Sequence, residues 1–418
     1  MNAYEKHNII AGLYGNTLEW YDFLLFASFA PIFANIFFPS HNYFASLMAT
    51  FGIFAIGFLV RPIGGALLGH YGDYIGRRKA LIISISIMSL STLFIAFLPT
   101  FNNIGILSPL LFTLFRIIQG LAVGGELPSS TIFLIEHMPA NRRGLAGSLA
   151  LSTAFLGIFA GALTATILTT YFQGETMVQW GWRIAYIIGG VLGFLGIYLR
   201  LKSSEPAHYL RAEKTIELPA KLVFTTYPKQ LLLAISFTSI LALSNYILIA
   251  YATTYLVNFE NFSLHNATVI NFIALLTLTL LIPLMGLLSD YIGRKTVLLL
   301  GLVSLLIFTF PIFWLLTLGH FGYALLGELI LSVVLAFING SVPTIIAELF
   351  PTQIRSSGSS IGYNIGQALF GGTVPLVAFA LIHATDNQLA PAWYTLICTI
   401  VVFFTSFFLH ETYKKPLA

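Results

Sequence analysis

Charged side chains interrupt the apolar stretches of the N-terminal half, and their types and spacing suit proton chemistry. Glu19 and Asp22 stand three positions apart, so they share one face if this stretch is helical. A charged side chain inside a bilayer costs at least ~2.5–3.5 kcal/mol, so it is retained where it is paired, hydrated or functional. Together with Glu126, these carboxylates are candidate proton carriers. The alternative is that they form buried ion pairs with Arg61 and Arg116 that only hold helices together.

The composition predicts that these stretches cross a membrane. The chain is 57% hydrophobic and 9% charged, with a mean hydropathy of +0.87, whereas a soluble domain is about 25% charged. Its 16 acidic and 20 basic residues are too few to cover a water-facing surface of this size. A single cysteine, Cys398, excludes an intramolecular disulfide and a cysteine-based metal centre. The first apolar run holds Glu19 and Asp22 and lacks a cleavage-site pattern, so no signal peptide is predicted.

Twelve apolar runs are long enough to cross the ~30 Å hydrocarbon core, which needs about 20 helical residues. We therefore predict an all-α membrane protein. The polar stretch 202–228 is predicted to be a cytoplasmic linker, partly helical and lying at the interface, between six-helix bundles at 1–201 and 229–418. The runs lie at 10–38, 45–69, 80–98, 108–134, 144–171, 182–201, 229–257, 266–288, 296–317, 322–346, 357–383 and 391–410.

The basic residues predict the orientation of the twelve spans. If the spans alternate in direction, the loops on one side hold the lysines and arginines, while the opposite loops hold acidic residues and neither lysine nor arginine. The positive-inside rule places the basic side in the cytoplasm, together with both termini. Arg200, at the end of the sixth run, is counted among these cytoplasmic basic residues.

A short polar motif occurs twice, each time between two apolar runs. The first copy is Gly69–Arg78, and the second, Gly286–Lys295, follows half a chain length later. A glutamate and an arginine follow each copy at nearly the same distance, so the repeat predicts two copies of one module. An ionic lock that breaks when the halves rock is predicted from Asp73, Arg77, Arg78, Glu136, Arg143, Asp290, Arg294, Glu348 and Arg355.

The repeated motif resembles the loop signature of the major facilitator superfamily. Other segments resemble its metabolite:proton symporter family, which includes transporters of proline and betaine, 2-oxoglutarate, shikimate and citrate. The resemblance implies two pseudo-symmetric six-helix bundles in a bacterial inner membrane, with proton-coupled uptake of a small polar metabolite by alternating access. The segments that carry it lie at 15–23, 61–65, 116–126, 180–183 and 347–352.

The charges and the resemblance together predict a central site between the bundles. Asp22 or Glu19 is expected to carry the coupling proton, with Glu126 third. Arg61, in its Arg-Pro-Ile-Gly-Gly setting, is expected to pack helices. The near-neutral to negative charge of the cluster favours a zwitterion or a cation over a tricarboxylate. The candidate substrate-binding residues are Arg116, Gln119, Asn16, Tyr21, Tyr246, Tyr251, Asn339, Asn364 and Gln367.

Other energy sources and functions have less support. No Walker-type phosphate loop is present, so ATP is not the expected energy source and no cofactor is predicted. No set of nucleophile, base and acid stands at one depth, which argues against an enzyme. One alternative is an exporter or exchanger. It is disfavoured because drug exporters of the superfamily typically have a Gly-Pro-rich pattern in the fifth span, whereas here Gly161 is followed by alanine. The other alternative is a transporter-like solute sensor. The expected partners are a small solute, protons and lipid, without nucleic acid, and the expected state is a monomer.

Overall fold

The computed structural model describes residues 3–172, 174–211 and 218–417. The all-α prediction is confirmed: in these residues, eleven helical spans are long and apolar enough to cross a membrane, and a shorter apolar helix follows them. Each of these helices overlaps one predicted run. We number them α1 to α12, and their bounds are His7–Phe37, Ala45–Tyr74, Arg77–Ala96, Leu107–His137, Ala140–Tyr171, Met177–Leu201, Pro228–Asn258, Leu264–Ile292, Arg294–Leu316, Phe321–Glu348, Arg355–Thr385 and Ala390–Ser406.

Several spans depart from a regular α-helix. Helix α2 is interrupted at Val60, just before Arg61 and a proline, and α4 is interrupted at Gly124 and Gly125. Helices α6 and α7 each contain one π-helical turn, at Met177–Gly181 and Ile247–Tyr251. Because π-helical turns and helix breaks are frequent at functional sites, these positions are where a site is expected.

The predicted linker contains two short helices, Ala207–Arg211 and Pro219–Thr225. Its residues 212–217 lie outside the described part of the chain. The two predicted bundles contact each other chiefly through α2 against α11 and α5 against α8. The repeat relates these two contacts, since α2 corresponds to α8 and α5 to α11.

Small residues allow both contacts to be close. A Cβ atom added to Gly69 of α2 would lie 2.8 Å from the Cα atom of Ser357 in α11. One added to Gly286 of α8 would lie 2.7 Å from the carbonyl oxygen of Gly144 in α5. Glycine is therefore required at these two places, as in other membrane helices whose backbones approach closely.

Candidate functional site

Asp22 and Arg116 form an ion pair inside the N-terminal bundle in which both Asp22 oxygens are hydrogen-bonded, while Arg116 Nε has no hydrogen-bond partner among the described residues. Arg116 Nη1 donates to Asp22 Oδ2 at 2.8 Å, and Nη2 donates to the Tyr186 hydroxyl at 2.5 Å. Thr92 Oγ1 and Gln119 Nε2 donate to Asp22 Oδ1 at 3.1 and 3.3 Å. Helices α1, α3, α4 and α6 thus contribute to holding one carboxylate, which has little room to change partners.

Glu126 is a second carboxylate with both oxygens bonded, and its partner, Arg200, was not predicted. Arg200 bonds both carboxylate oxygens of Glu126 through its two terminal nitrogens, and Ser84 Oγ donates to Oε2 at 2.7 Å. The Arg200 side chain is only 2% exposed. Arg200 stands at the end of α6 beside Arg78, as the count of basic residues requires, but its side chain is buried and is not part of a loop. A position at the end of an apolar run does not reveal that the side chain turns into the bundle.

Glu19 and Arg61 form a loose ion pair. The Arg61 Nη1 and Glu19 Oε1 atoms are 3.7 Å apart, beyond hydrogen-bond distance. Both side chains are buried, yet Glu19 Oε2 and Arg61 Nε have no hydrogen-bond partner within the described ranges. The Arg61 guanidinium carbon lies 4.1 Å from the centre of the Phe58 ring. Of the ion pairs described so far, this one has the fewest hydrogen bonds.

The loose pair borders a small cavity in the N-terminal bundle. Arg61 was expected to pack helices, but its side chain faces this cavity, because the break at Val60 starts a new helical segment there. Two predicted substrate-binding residues also reach the cavity. Its polar lining consists of Glu19, Asp22, Arg61, Arg116 and Gln119.

A second small cavity lies between the two bundles, and we call it the interface cavity. Trp20 Nε1, the Tyr246 hydroxyl and Gln367 Oε1 are buried and have no hydrogen-bond partner in the part of the chain described. Such orphaned groups are costly and call for a partner that enters from outside. The interface cavity is lined by Trp20, Leu151, Ala154, Phe155, Ile158, Leu241, Asn245, Tyr246, Ile249, Tyr363 and Gln367.

The loose pair does not line the interface cavity, but it lies within electrostatic range of it. Glu19 and Arg61 act electrostatically on the hydroxyl groups of Tyr246 and Tyr363, which line that cavity. An acid, a guanidinium and a set of aromatic faces therefore lie near one another where the bundles meet. This arrangement can bind a small solute that carries both charges.

The remaining predicted substrate-binding residues are engaged by other groups of the protein. None of these five residues lines the interface cavity, although one of them, Asn339, bonds Asn245, which does. Trp20 and Phe155 were not predicted for this cavity; the only signal was that Trp20 stands between two motif residues. Asn16, Tyr21 and Asn364 donate to backbone carbonyl groups, Asn339 bonds Asn245, and Tyr251 stacks on Tyr255.

The first copy of the repeated motif forms an ion cluster across the two bundles. Asp73 accepts hydrogen bonds from the backbone N–H groups of Ser356 and Ser357 at 2.9 and 2.8 Å, and it pairs with Arg77. Glu136 accepts from Arg77 and from Arg355 of the opposite bundle, the latter at 2.7 Å. These cross-bundle bonds close the end of the protein that carries the lysine- and arginine-containing loops, which we call the basic end. Arg78 lies apart from this cluster, since it donates to carbonyl groups at the end of α6.

The second copy forms the matching cluster. Asp290 accepts from the backbone N–H groups of Gly144 and Leu145, both at 2.9 Å. Glu348 pairs with Arg143 at 3.1 Å, and Arg294 pairs with Asp290 at 2.8 Å. Eight of the nine residues predicted for the ionic lock thus meet in two clusters that link the bundles. The exception is Arg78.

Two glutamates that were not predicted support these clusters. Glu205 accepts from the Arg78 N–H at the start of α3, and Glu411 accepts from the Arg294 and Lys295 N–H groups at the start of α9. Burial raises the pKa of Glu205, although its hydrogen bonds to backbone N–H groups act in the opposite direction. In the sequence each is an isolated glutamate after the last helix of its bundle, so no spacing points to it.

Comparisons with known proteins identify the family of this chain and its relatives. The family model of the Major Facilitator Superfamily matches residues 13–375. The chain is 32% identical, over 98% of its length and 84% of the relative's, to the glycine betaine/proline/ectoine/pipecolic acid transporter OusA of Dickeya dadantii (strain 3937). It is 34% identical to a putative proline/betaine transporter of Staphylococcus aureus (strain COL), over 97% and 88% of the two chains. The proton:xylose symporter XylE bound to 6-bromo-6-deoxy-D-glucose superposes with a TM-score of 0.85 at 17% identity, over 99% and 98% of the two chains.

Proposed function

We propose that this chain, which belongs to the Major Facilitator Superfamily, imports a small zwitterionic metabolite together with protons. Membership of the family makes it a transporter and not an enzyme. The observation that carries the proposal is the interface cavity, which has unpartnered polar groups and aromatic faces and lies within electrostatic range of the Glu19–Arg61 pair. An apolar cavity with a few convergent polar groups is the usual form of a small-molecule site.

The chemistry of the cavity supports a zwitterion such as proline or glycine betaine. Aromatic faces attract a substituted ammonium group, and a guanidinium attracts a carboxylate. The relatives that are 32–34% identical carry names that include both solutes. A tricarboxylate would bring several negative charges beside Glu19 and Asp22, and it would find Arg116 already bonded.

The ion clusters support an alternating-access cycle in a bacterial inner membrane. The positive-inside rule puts the basic end and both termini in the cytoplasm. With both clusters formed, the cavities are closed on that side, and solute release to the cytoplasm requires the Asp73 and Asp290 bonds to break. The buried carboxylates of the N-terminal bundle supply the groups on which a transported proton can reside. The protein is proposed to act as a monomer.

Uptake into proteoliposomes tests this proposal. We expect an inward proton gradient to drive accumulation of labelled proline or glycine betaine above the equilibrium level, and a protonophore to abolish it. Vesicles without the protein are the control. Accumulation only with an outward proton gradient would indicate an exporter, and binding without any flux would indicate a solute sensor; either result would overturn proton-coupled import.

A further inference from the structure

Three buried carboxylates of the N-terminal bundle that lie outside the ion clusters, Glu19, Asp22 and Glu126, differ in how firmly they are held. Asp22 has three side-chain donors within 3.3 Å, and Glu126 has Arg200 and Ser84. Glu19 has only Arg61, at 3.7 Å, and one of its oxygens has no hydrogen-bond partner among the residues described. A proton or a ligand can therefore displace the Glu19 contact with the smallest loss of existing bonds.

We propose that Arg61 binds the carboxylate of the substrate and that Glu19, displaced from Arg61, accepts the co-transported proton. This inference rests on the proposed function and assigns two residues of the same site. The Nε and Nη2 groups share one edge of the Arg61 guanidinium and form a pair of donors that a carboxylate can bridge, and Nε has no partner within the described residues. The positive end of the solute then lies against the rings of Trp20, Tyr246 and Tyr363.

The charges explain why solute and proton would enter together. In the empty site, Glu19 and Arg61 neutralise each other. Once a substrate carboxylate takes Arg61, an ionised Glu19 would be left buried without a cation, beside a second carboxylate, which is strongly unfavourable. A proton from the outer solution bonded to a Glu19 oxygen removes this conflict. The zwitterion adds no net charge and the proton adds one, so each cycle moves one positive charge inward.

The groups around Glu19 do not offer another acceptor as readily. Arg61 faces it from α2, Glu126 from α4, Tyr246 from α7 and Tyr363 from α11. The Asp22–Arg116 pair lines the same cavity. Glu126 and Asp22 are each neutralised by their own arginine, so the negative charge that becomes unpaired on substrate binding is that of Glu19.

Proton uptake on substrate binding tests the assignment. Purified protein in a weakly buffered detergent solution receives glycine betaine, and a pH indicator records the protons bound. We expect about one proton for each betaine bound by the wild type, and none by Glu19→Gln, which still binds betaine. Glu328→Gln is the matched control, because Glu328 is a buried carboxyl group of the C-terminal bundle outside both cavities; it should take up the proton like the wild type.

The carboxylate site is tested in the same preparation. Choline carries the trimethylammonium group of betaine without its carboxylate. We expect Arg61→Gln to weaken betaine binding about tenfold or more and to leave weak choline binding unchanged. Choline binding to the wild type as tightly as betaine, or betaine binding unaffected by Arg61→Gln, would overturn the role of Arg61. Proton uptake that persists in Glu19→Gln and is lost in Asp22→Asn would overturn the role of Glu19.

A further test uses only the wild type, so its result does not depend on whether the variants fold. In proteoliposomes without a pH gradient, a potassium diffusion potential that is negative inside should accelerate betaine uptake several-fold. Uptake that responds to a pH gradient but not to this potential would contradict the charge count while leaving proton-coupled import intact. If the wild type accumulates no zwitterion under either gradient, the proposed function fails and this inference fails with it.

Discussion

The two bundles share one helix plan but bury different side chains. Within the described residues, the N-terminal bundle buries the three ion pairs formed by Glu19, Asp22 and Glu126 with their arginines. At membrane depth the C-terminal bundle buries Glu328, which accepts a hydrogen bond from Asn271 and otherwise faces uncharged groups. Its contribution to the interface cavity is aromatic and amide side chains.

The ion clusters show the opposite behaviour, since both bundles retain them. Asp73 and Asp290 each accept two backbone N–H groups from the other bundle, and Glu136 and Glu348 each join two arginines. The repeat has thus preserved the groups that close the basic end, while the interiors have diverged. This contrast fits a transporter in which the N-terminal bundle supplies the ionisable groups, while the C-terminal bundle supplies the uncharged side chains on the other side of the cavity.

Removing Arg200 should have the largest effect, because it strands a charge in the N-terminal interior. In Arg200→Met, Glu126 keeps only Ser84, and breaking a buried ion pair in this way costs about 3–5 kcal/mol of stability. Thermal unfolding of the purified protein should show a clearly lower transition temperature. Adding Glu126→Gln removes the stranded charge and should recover most of the loss. If Arg200→Met is as stable as the wild type, the N-terminal interior does not depend on paired charges.

Replacing the two motif aspartates compares the retained clusters directly. Asp73→Asn and Asp290→Asn each weaken two charge-assisted hydrogen bonds, which contribute about 1.5–3 kcal/mol apiece. We expect uptake to fall about tenfold in both, because the closed basic end is lost. Asp73→Asn should have the larger effect, since the Arg77 that it holds also donates to the Thr352 carbonyl across the bundles at 2.7 Å.

The distance between spin labels at Tyr74 and Tyr291, one at the basic end of each bundle, reports this opening. Both residues are exposed, and Cys398 would first be replaced by alanine so that only these sites are labelled. The closed population should decrease in both aspartate variants. An unchanged distance distribution would show that the clusters do not hold the basic end closed.

A smaller effect of pH is expected at the first cluster, from His208 in the linker. The partial desolvation of its ring lowers the pKa of His208, and Arg355, Arg143 and Arg211 act in the same direction, against the attraction of Glu136. A depressed pKa means that the closed state favours the neutral ring. Its contribution is present above the ordinary value of 6.5 and is lost as the pH falls through the lower value of the closed protein.

The same spin labels measured between about pH 5 and 8 should show a modest opening on acidification, of about twofold in the closed-to-open ratio, because the side chain is largely exposed and solvent screens it. His208→Gln should remove this component. An acid-induced opening of the same size in the variant would assign it to another group.

Hydropathy, spacing and the repeat were enough to predict the twelve helices, the two copies of the motif and the candidate charges. These features depend on local sequence: a run of about 20 apolar residues crosses a bilayer wherever it stands, and a repeated motif implies a repeated contact. The repeat predicted which residues belong to the clusters, but not that Glu136 pairs with Arg355 and Glu348 with Arg143 across the bundles.

The choice of partners among the buried charges came only from the folded chain. Arg200 was counted with the basic residues of one side and its side chain is buried with Glu126, while Arg61 was expected to pack helices and faces a cavity with Glu19. Trp20 gained its place in the interface cavity from helices more than half the chain away. A buried charge selects its partner by distance and by the bonds that each neighbour has already made, and these depend on how all the helices pack together.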